Sequence, residues 1–243
     1  MDGILLLEKQ KETNHYQIQS LPINSGVFCL KKDRFQDVVW IGTDGQGVYL
    51  YSNPLYSIKS MVLSNYTEKI ERPVRAIYLD DERTFWVGTK GNGILKIYDY
   101  EFDKNISDCR AEVLTTSNSA LSSNAVYCFA KSHRNLLWIG DEEGLTYYSY
   151  REKRIKSIPI RIGNEDFKYI HDIYETADSE LWLASVGMGV VKARIAGTPD
   201  NPVIVDAQRY IINDGELGSN YFFTIYAENE ANLLFGNKGY GVF

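Results

Sequence analysis

The sequence predicts an all-β fold made of repeated four-stranded antiparallel sheets, and three observations carry the prediction. First, one stretch recurs along the chain. It reads Val39-Trp40-Ile41-Gly42-Thr43, then Phe85-Trp86-Val87-Gly88-Thr89, Leu137-Trp138-Ile139-Gly140-Asp141 and Leu181-Trp182-Leu183-Ala184-Ser185. A copy without tryptophan, Leu233-Leu234-Phe235-Gly236-Asn237, comes last. All four tryptophans stand at one repeat position. Second, an alternating strand precedes each copy at fixed distance. Val74 to Trp86, Val126 to Trp138, Ile170 to Trp182 and Phe222 to Leu234 are each twelve residues, and Val27 to Trp40 is thirteen. Constant spacing implies hairpins of constant register. Third, no stretch shows helical periodicity. Successive landmarks lie 46, 52, 44 and 52 residues apart. A four-stranded repeat of that period with a Trp-Gly landmark reads as a β-propeller blade.

Taken in order, residues 1–20 read as the end of a blade. Gly3-Ile4-Leu5-Leu6-Leu7 aligns with Gly47-Val48-Tyr49-Leu50-Tyr51, a third strand, and a polar turn over 8–14 leads to a fourth strand at 16–20. Blades follow at 21–67, 68–119, 120–163 and 164–216, and 217–243 starts another. Each blade runs through an inner strand, a polar turn, the Trp strand, a Gly turn, a third strand and a looser fourth strand. The fourth strands are expected at 56–62, 111–114, 155–160 and 207–212. The variation in length is expected in the outer connections 100–110 and 196–206, because loops tolerate insertion. The third strand occurs at both ends, at 3–7 and 241–243. The expectation is therefore about five blades' worth of a longer, seven-bladed ring, with a closed five-bladed ring as the alternative.

The packing logic follows from the pattern. A four-stranded sheet alone cannot bury both faces, so blades stack face to face over the tryptophans and aliphatics. Gly42, Gly88, Gly140, Ala184 and Gly236 allow close approach there. Gly47, Gly93, Gly144, Gly189 and Gly241 supply positive φ in the turns.

Composition narrows the function. A net charge of −6 gives no broad basic footprint for nucleic acid. No apolar run reaches the roughly 18 residues of a membrane helix, and the N-terminus does not read as a signal peptide. Cys29, Cys109 and Cys128 have no metal-ligand spacing, and Cys29 and Cys128 read as small buried apolar residues. No catalytic motif is present, and no metal or cofactor is expected. The acidic clusters Asp80-Asp81-Glu82 and Asp141-Glu142-Glu143 read as solvated turns. His15 and His133 fall in polar turns, and His171 reads as a hydrogen-bonded structural histidine of an inner strand.

The repeats resemble the two-component regulator propeller repeat. Leu21-Pro22-Ile23-Asn24 with Trp40-Ile41-Gly42-Thr43, and Leu121-Ser122-Ser123-Asn124 with Trp138-Ile139-Gly140-Asp141, carry the resemblance most closely. Ala184 and Leu234 depart from it. The resemblance implies the extracytoplasmic, periplasmic sensor region of a hybrid histidine kinase of Bacteroidetes-type bacteria. It implies a parent chain with a neighbouring propeller, an immunoglobulin-like domain and a membrane helix, able to form a homodimer. It also implies a response to glycan fragments. The chain itself is expected to be no enzyme and to make no contact with membrane or nucleic acid. Two other readings stand: a protein-interaction scaffold without a small ligand, and a propeller glycoside hydrolase or lyase.

Connectivity places a site. The inner strand crosses the ring and the Trp strand returns, so the Gly turn and the entry to the inner strand share one rim. A small polar ligand such as an oligosaccharide is expected there. Its candidate contacts are Asn24, Arg75, Asn124, Lys168, Tyr169, Asn220 and Tyr221, with Asp44, Lys90, Asp141 and Lys238 from the Gly turns. The asparagines carry a second reading, as caps of the turn entering each inner strand.

Overall fold

A computed structural model describes residues 3–9, 15–52, 57–61, 63, 70–100, 109–213, 218–229 and 232–242. It shows a β-propeller of successive up-and-down antiparallel sheets. A two-stranded hairpin opens the chain, β1 (Ile4–Lys9) on β2 (Tyr16–Leu21). The first full blade is β3 (Val27–Lys32), β4 (Val38–Thr43), β5 (Val48–Ser52) and β6 (Ser57–Met61). The second is β7 (Val74–Leu79), β8 (Phe85–Thr89), β9 (Ile94–Ile97) and β10 (Ala111–Leu114). The third is β11 (Val126–Lys131), β12 (Leu136–Asp141), β13 (Leu145–Ser149) and β14 (Arg154–Ile158). A small hairpin, β15 (Arg161–Ile162) with β16 (Glu165–Asp166), has no counterpart in the expected pattern. The fourth blade is β17 (Ile170–Glu175), β18 (Glu180–Ser185), β19 (Gly189–Thr198) and β20 (Asn201–Tyr210). The last sheet has three described strands, β21 (Phe222–Asn229), β22 (Asn232–Asn237) and β23 (Gly241–Val242). Residues 10–14 of the expected turn over 8–14, residues 101–108 of the expected connection over 100–110, and Asp2, Tyr56, Val62 and Phe243 lie outside the described residues.

Blades meet through their inner strands, β3 with β7, β7 with β11, β11 with β17 and β17 with β21. Among the described strands, no ladder joins the last sheet to β1, β2 or β3. Leu30 on the first blade and Tyr226 on the last stay exposed. Between blades the core is aromatic and aliphatic. Trp40, Trp86 and Trp138 are fully buried. Trp40 stacks on Phe85 of the next blade at 4.0 Å, and Trp86 meets Tyr148 of the next edge-on at 4.8 Å. Each indole N–H also needs an acceptor once buried. Trp40 Nε1 donates to Asp33 at 2.9 Å and Trp86 Nε1 to Asp80 at 2.9 Å. Trp138 Nε1 reaches across to Glu175 of the fourth blade at 2.6 Å. The acidic turn 80–82 is therefore not simply solvated. Asp80 is buried because its carboxylate takes the indole and the Thr84 amide.

The small residues behave as expected. A Cβ on Gly140 would lie 2.5 Å from Cys128 Sγ and 2.7 Å from the Ile170 carbonyl oxygen. All five turn glycines have positive φ, and at Gly93 a Cβ would meet the Leu114 carbonyl at 2.2 Å. A further expectation is corrected. The extra length near 196–206 is not loop: β19 and β20 are ten residues each and run on past the end of β18 as a two-stranded hairpin over 195–205. Its tip folds back on the third blade, where Arg151 donates to Asp200 at 2.6 Å.

Candidate functional site

Each inner strand carries the same β-bulge. The register slips between Val27 and Cys29, Val74 and Ala76, Val126 and Cys128, Ile170 and Asp172, and Phe222 and Thr224. A bulge leaves one residue unpaired and re-aims its side chain. Here the five unpaired residues are Phe28, Arg75, Tyr127, His171 and Phe223. They sit side by side along the innermost wall. The Arg75 guanidinium lies 3.8 Å from the Phe28 ring centroid. Tyr127 stacks on His171 at 4.2 Å, and His171 meets Phe223 edge-on at 5.1 Å. The expected hydrogen-bonded histidine is thus held by rings instead; among the described residues its imidazole has no hydrogen-bond partner. Burial, and then the Arg75 charge, push its pKa down to about 4, so it is neutral at pH 7.

The rim lies directly above this wall. The first residue after each Trp strand donates its amide to the residue entering the inner strand of the same blade. The pairs are Asp44 to Gly26 at 2.8 Å, Lys90 to Pro73 at 2.9 Å, Glu142 to Ala125 at 3.0 Å, Val186 to Tyr169 at 3.1 Å and Lys238 to Tyr221 at 3.0 Å. The geometry brings the Gly turns and strand entries together as the connectivity implied.

Within that frame the candidates divide. Asn24, Asp44 and Lys90 are exposed on the rim. Tyr169 and Tyr221 project large rings into solvent, 41% and 45% exposed. Lys238 sits over the Tyr221 ring at 5.9 Å. Lys168 pairs with Glu143 at 2.5 Å. Tyr169 has φ 55°, left-handed backbone that a bulky residue seldom adopts. The asparagines of the later blades act as caps. Asn124 Oδ1 accepts the Thr116 amide at 2.9 Å, and Asn220 Oδ1 accepts the Ile212 amide at 2.7 Å. Asp141 is fully buried and faces its own turn, where it accepts Glu143 and Gly144 amides and the Ser122 hydroxyl. Burial outweighs those bonds and raises its pKa to about 6.

Arg75 is the only candidate on the bulge row. Phe28, Tyr127, His171 and Phe223 share its repeat position, the second residue of the inner strand, which alignment of the repeats makes visible. A separate cavity of about 560 Å³ lies outside the wall, between the second and third blades, lined in part by Lys96, Glu112 and Tyr148. None of the candidate residues lines it. The Lys96 ammonium there is enclosed by Trp86, Tyr98 and Tyr148 rings at 4.6, 4.7 and 4.3 Å, which makes it part of the interblade packing.

No family model matches the chain. Translation initiation factor 6 of Saccharolobus solfataricus is 31% identical over 140 residues, covering 52% of this chain and 57% of that protein. Solved structures share the fold. PorZ, described as an essential surface component of the type-IX secretion system of Porphyromonas gingivalis, aligns over 89% of this chain and 31% of its own, with a TM-score of 0.64 and 14% identity. The extracellular domain of the putative one component system BT4673 of B. thetaiotaomicron covers the whole chain with a TM-score of 0.57 and 16% identity. That of the putative hybrid two component system BT3049 does so with a TM-score of 0.54 and 16% identity. The chain spans 40% of each of these two structures. These likenesses establish the propeller.

Proposed function

We propose that this chain is a ligand-sensing or signal-coupling propeller of an extracytoplasmic sensor, itself non-catalytic, and that its ligand is a small polar molecule, first of all an oligosaccharide. The observation that carries the reading is the bulge row: five neighbouring blades offer Phe28, Arg75, Tyr127, His171 and Phe223 to one surface, beneath the exposed rings of Tyr169 and Tyr221. Aromatic faces with a few polar groups are what a pyranose ring requires. Two fold neighbours, described as extracellular domains of a putative one component system and a putative hybrid two component system, support the sensor context. A periplasmic location, a neighbouring propeller, an immunoglobulin-like domain and a homodimer belong to the same proposal, as properties of the parent protein. A scaffold reading has its own support, because PorZ shares the fold and is described as a secretion-system component. A thermal-shift panel of neutral and acidic oligosaccharides separates the two. Ligand at a hundred times its Kd adds about 2.7 kcal/mol, or roughly 5–10 °C for a chain of this size. The sensor reading expects that rise for some saccharide and its loss in Y127A. No rise with any saccharide favours the scaffold.

A further inference from the structure

Arg75 is the one cation in the bulge row, and its surroundings are unusual for an arginine. Its Nε is buried and has no hydrogen-bond partner, and no ion pair to Arg75 is formed among the described residues. The guanidinium is instead fixed from one side by the Phe28 ring at 3.8 Å. Stacking orients the planar fork without neutralising it. The carboxylate of the same wall is already committed. Asp172 accepts the Ile173 amide at 2.9 Å, the Ile225 amide at 2.7 Å and the Thr224 hydroxyl at 3.1 Å. His171 beyond it carries no charge at pH 7 to compete.

Arg75 is half-buried, and its buried Nε–H is a donor left without an acceptor, which costs free energy until something meets it. A preoriented guanidinium is matched to an oxyanion that accepts two hydrogen bonds. Further along the row the Phe223 ring is 42% exposed, and Tyr169 at the rim above is 41% exposed, so both offer flat apolar faces. We infer that Arg75 is the anion-binding centre of the wall and that the ligand is an acidic saccharide, its carboxylate or sulfate on the Arg75 fork and its ring on the neighbouring aromatic faces. This rests on the sensor reading above and names the ligand class within it.

The test uses the full chain and isothermal titration with four probes: tetragalacturonate, its fully methyl-esterified form, a sulfated tetrasaccharide and a neutral tetrasaccharide. An acid bound through a charge-assisted pair is expected to bind about tenfold or more tighter than the ester. The preference should shrink as salt rises. R75Q should erase it and R75K restore part of it, while both stay folded with melting temperatures within a few degrees of wild type, because the Phe28 stack is the one side-chain contact at stake among the described residues. Tetragalacturonate and the sulfated probe tell which acid is taken. Equal binding of acid and ester, binding of the neutral probe alone, or an acid preference that survives R75Q overturns the acidic class and leaves the sensor reading standing. If none of the four probes, nor any other saccharide, binds, the sensor reading falls with it.

Discussion

The interblade contact makes a quantitative prediction at Gly42. A Cβ there would stand 2.5 Å from Cys29 Sγ and 3.2 Å from Val74 Cγ1 of the next blade. Contact between such atoms is optimal near 3.5–4.0 Å, so G42A must displace the sulfur by roughly 1 Å. Overpacking of this kind costs about 1–3 kcal/mol, which lowers Tm by roughly 2–12 °C at this size. The obstruction is mostly one atom, so removing that atom should relieve it. C29A alone is expected to cost about 1 kcal/mol through a small void. The double variant should recover at least about 1 kcal/mol of the summed penalties. Gly140 supplies the contrast. Its Cβ would meet Cys128 Sγ at 2.5 Å, but also the Ile170 carbonyl oxygen at 2.7 Å and Ile170 Cγ2 at 2.8 Å. Backbone of the neighbouring blade cannot be trimmed away, so C128A should rescue G140A far less than C29A rescues G42A. Urea denaturation of the six variants measures both couplings. A G42A variant as stable as the parent, or equal rescue at the two sites, would refute the packing argument.

Other perturbations follow from the same structure. E175A removes the acceptor that the buried Trp138 indole finds across the blade boundary. It should cost about 2–4 kcal/mol in chemical denaturation. Y169G relieves a left-handed backbone strain of about 1–2 kcal/mol, so it should raise stability while weakening saccharide binding; a loss of stability would contradict it. The Asp141 carboxyl has a folded pKa of about 6, above its usual 3.8, so the folded state holds its proton more tightly. Its contribution is present at low pH and lost as pH rises from about 4 to 6, worth up to about 3 kcal/mol. D141N should erase that loss in a pH series of melting curves. His171 acts with the opposite sign. Its folded pKa of about 4 lies below the usual 6.5, so stability is lost as pH falls through that window, and H171F should flatten it.

The fold was legible in the sequence because it repeats. Trp40, Trp86, Trp138 and Trp182 set a ruler, and the twelve-residue spacing gave each hairpin its register. What escaped were features that depend on neighbours. The bulge at Phe28, Arg75, Tyr127, His171 and Phe223 occurs in every one of these blades, so it is built into the spacing to the tryptophan and comparison between blades does not reveal it. The role of Asp80 was hidden for a similar reason. An acidic residue in a polar turn looks solvated until the indole it serves is known to sit within reach. Connectivity brought the Gly turns and the strand entries to one rim, where amides such as Asp44 to Gly26 pair them. Composition could not separate those that face solvent, such as Tyr221, from those like Asp141 whose polar atoms are consumed by their own turn.

The central claim is that ligand is taken on the bulged inner wall and its rim. Hydrogen–deuterium exchange on the full chain, with and without a saccharide that shifts its melting temperature, tests it most directly. The account predicts added protection in the inner-strand peptides that carry Phe28, Arg75, Tyr127, His171 and Phe223, together with the entry at Tyr169. Protection confined to residues 94–97 and 153–157, around the outer cavity at Lys96, would contradict it.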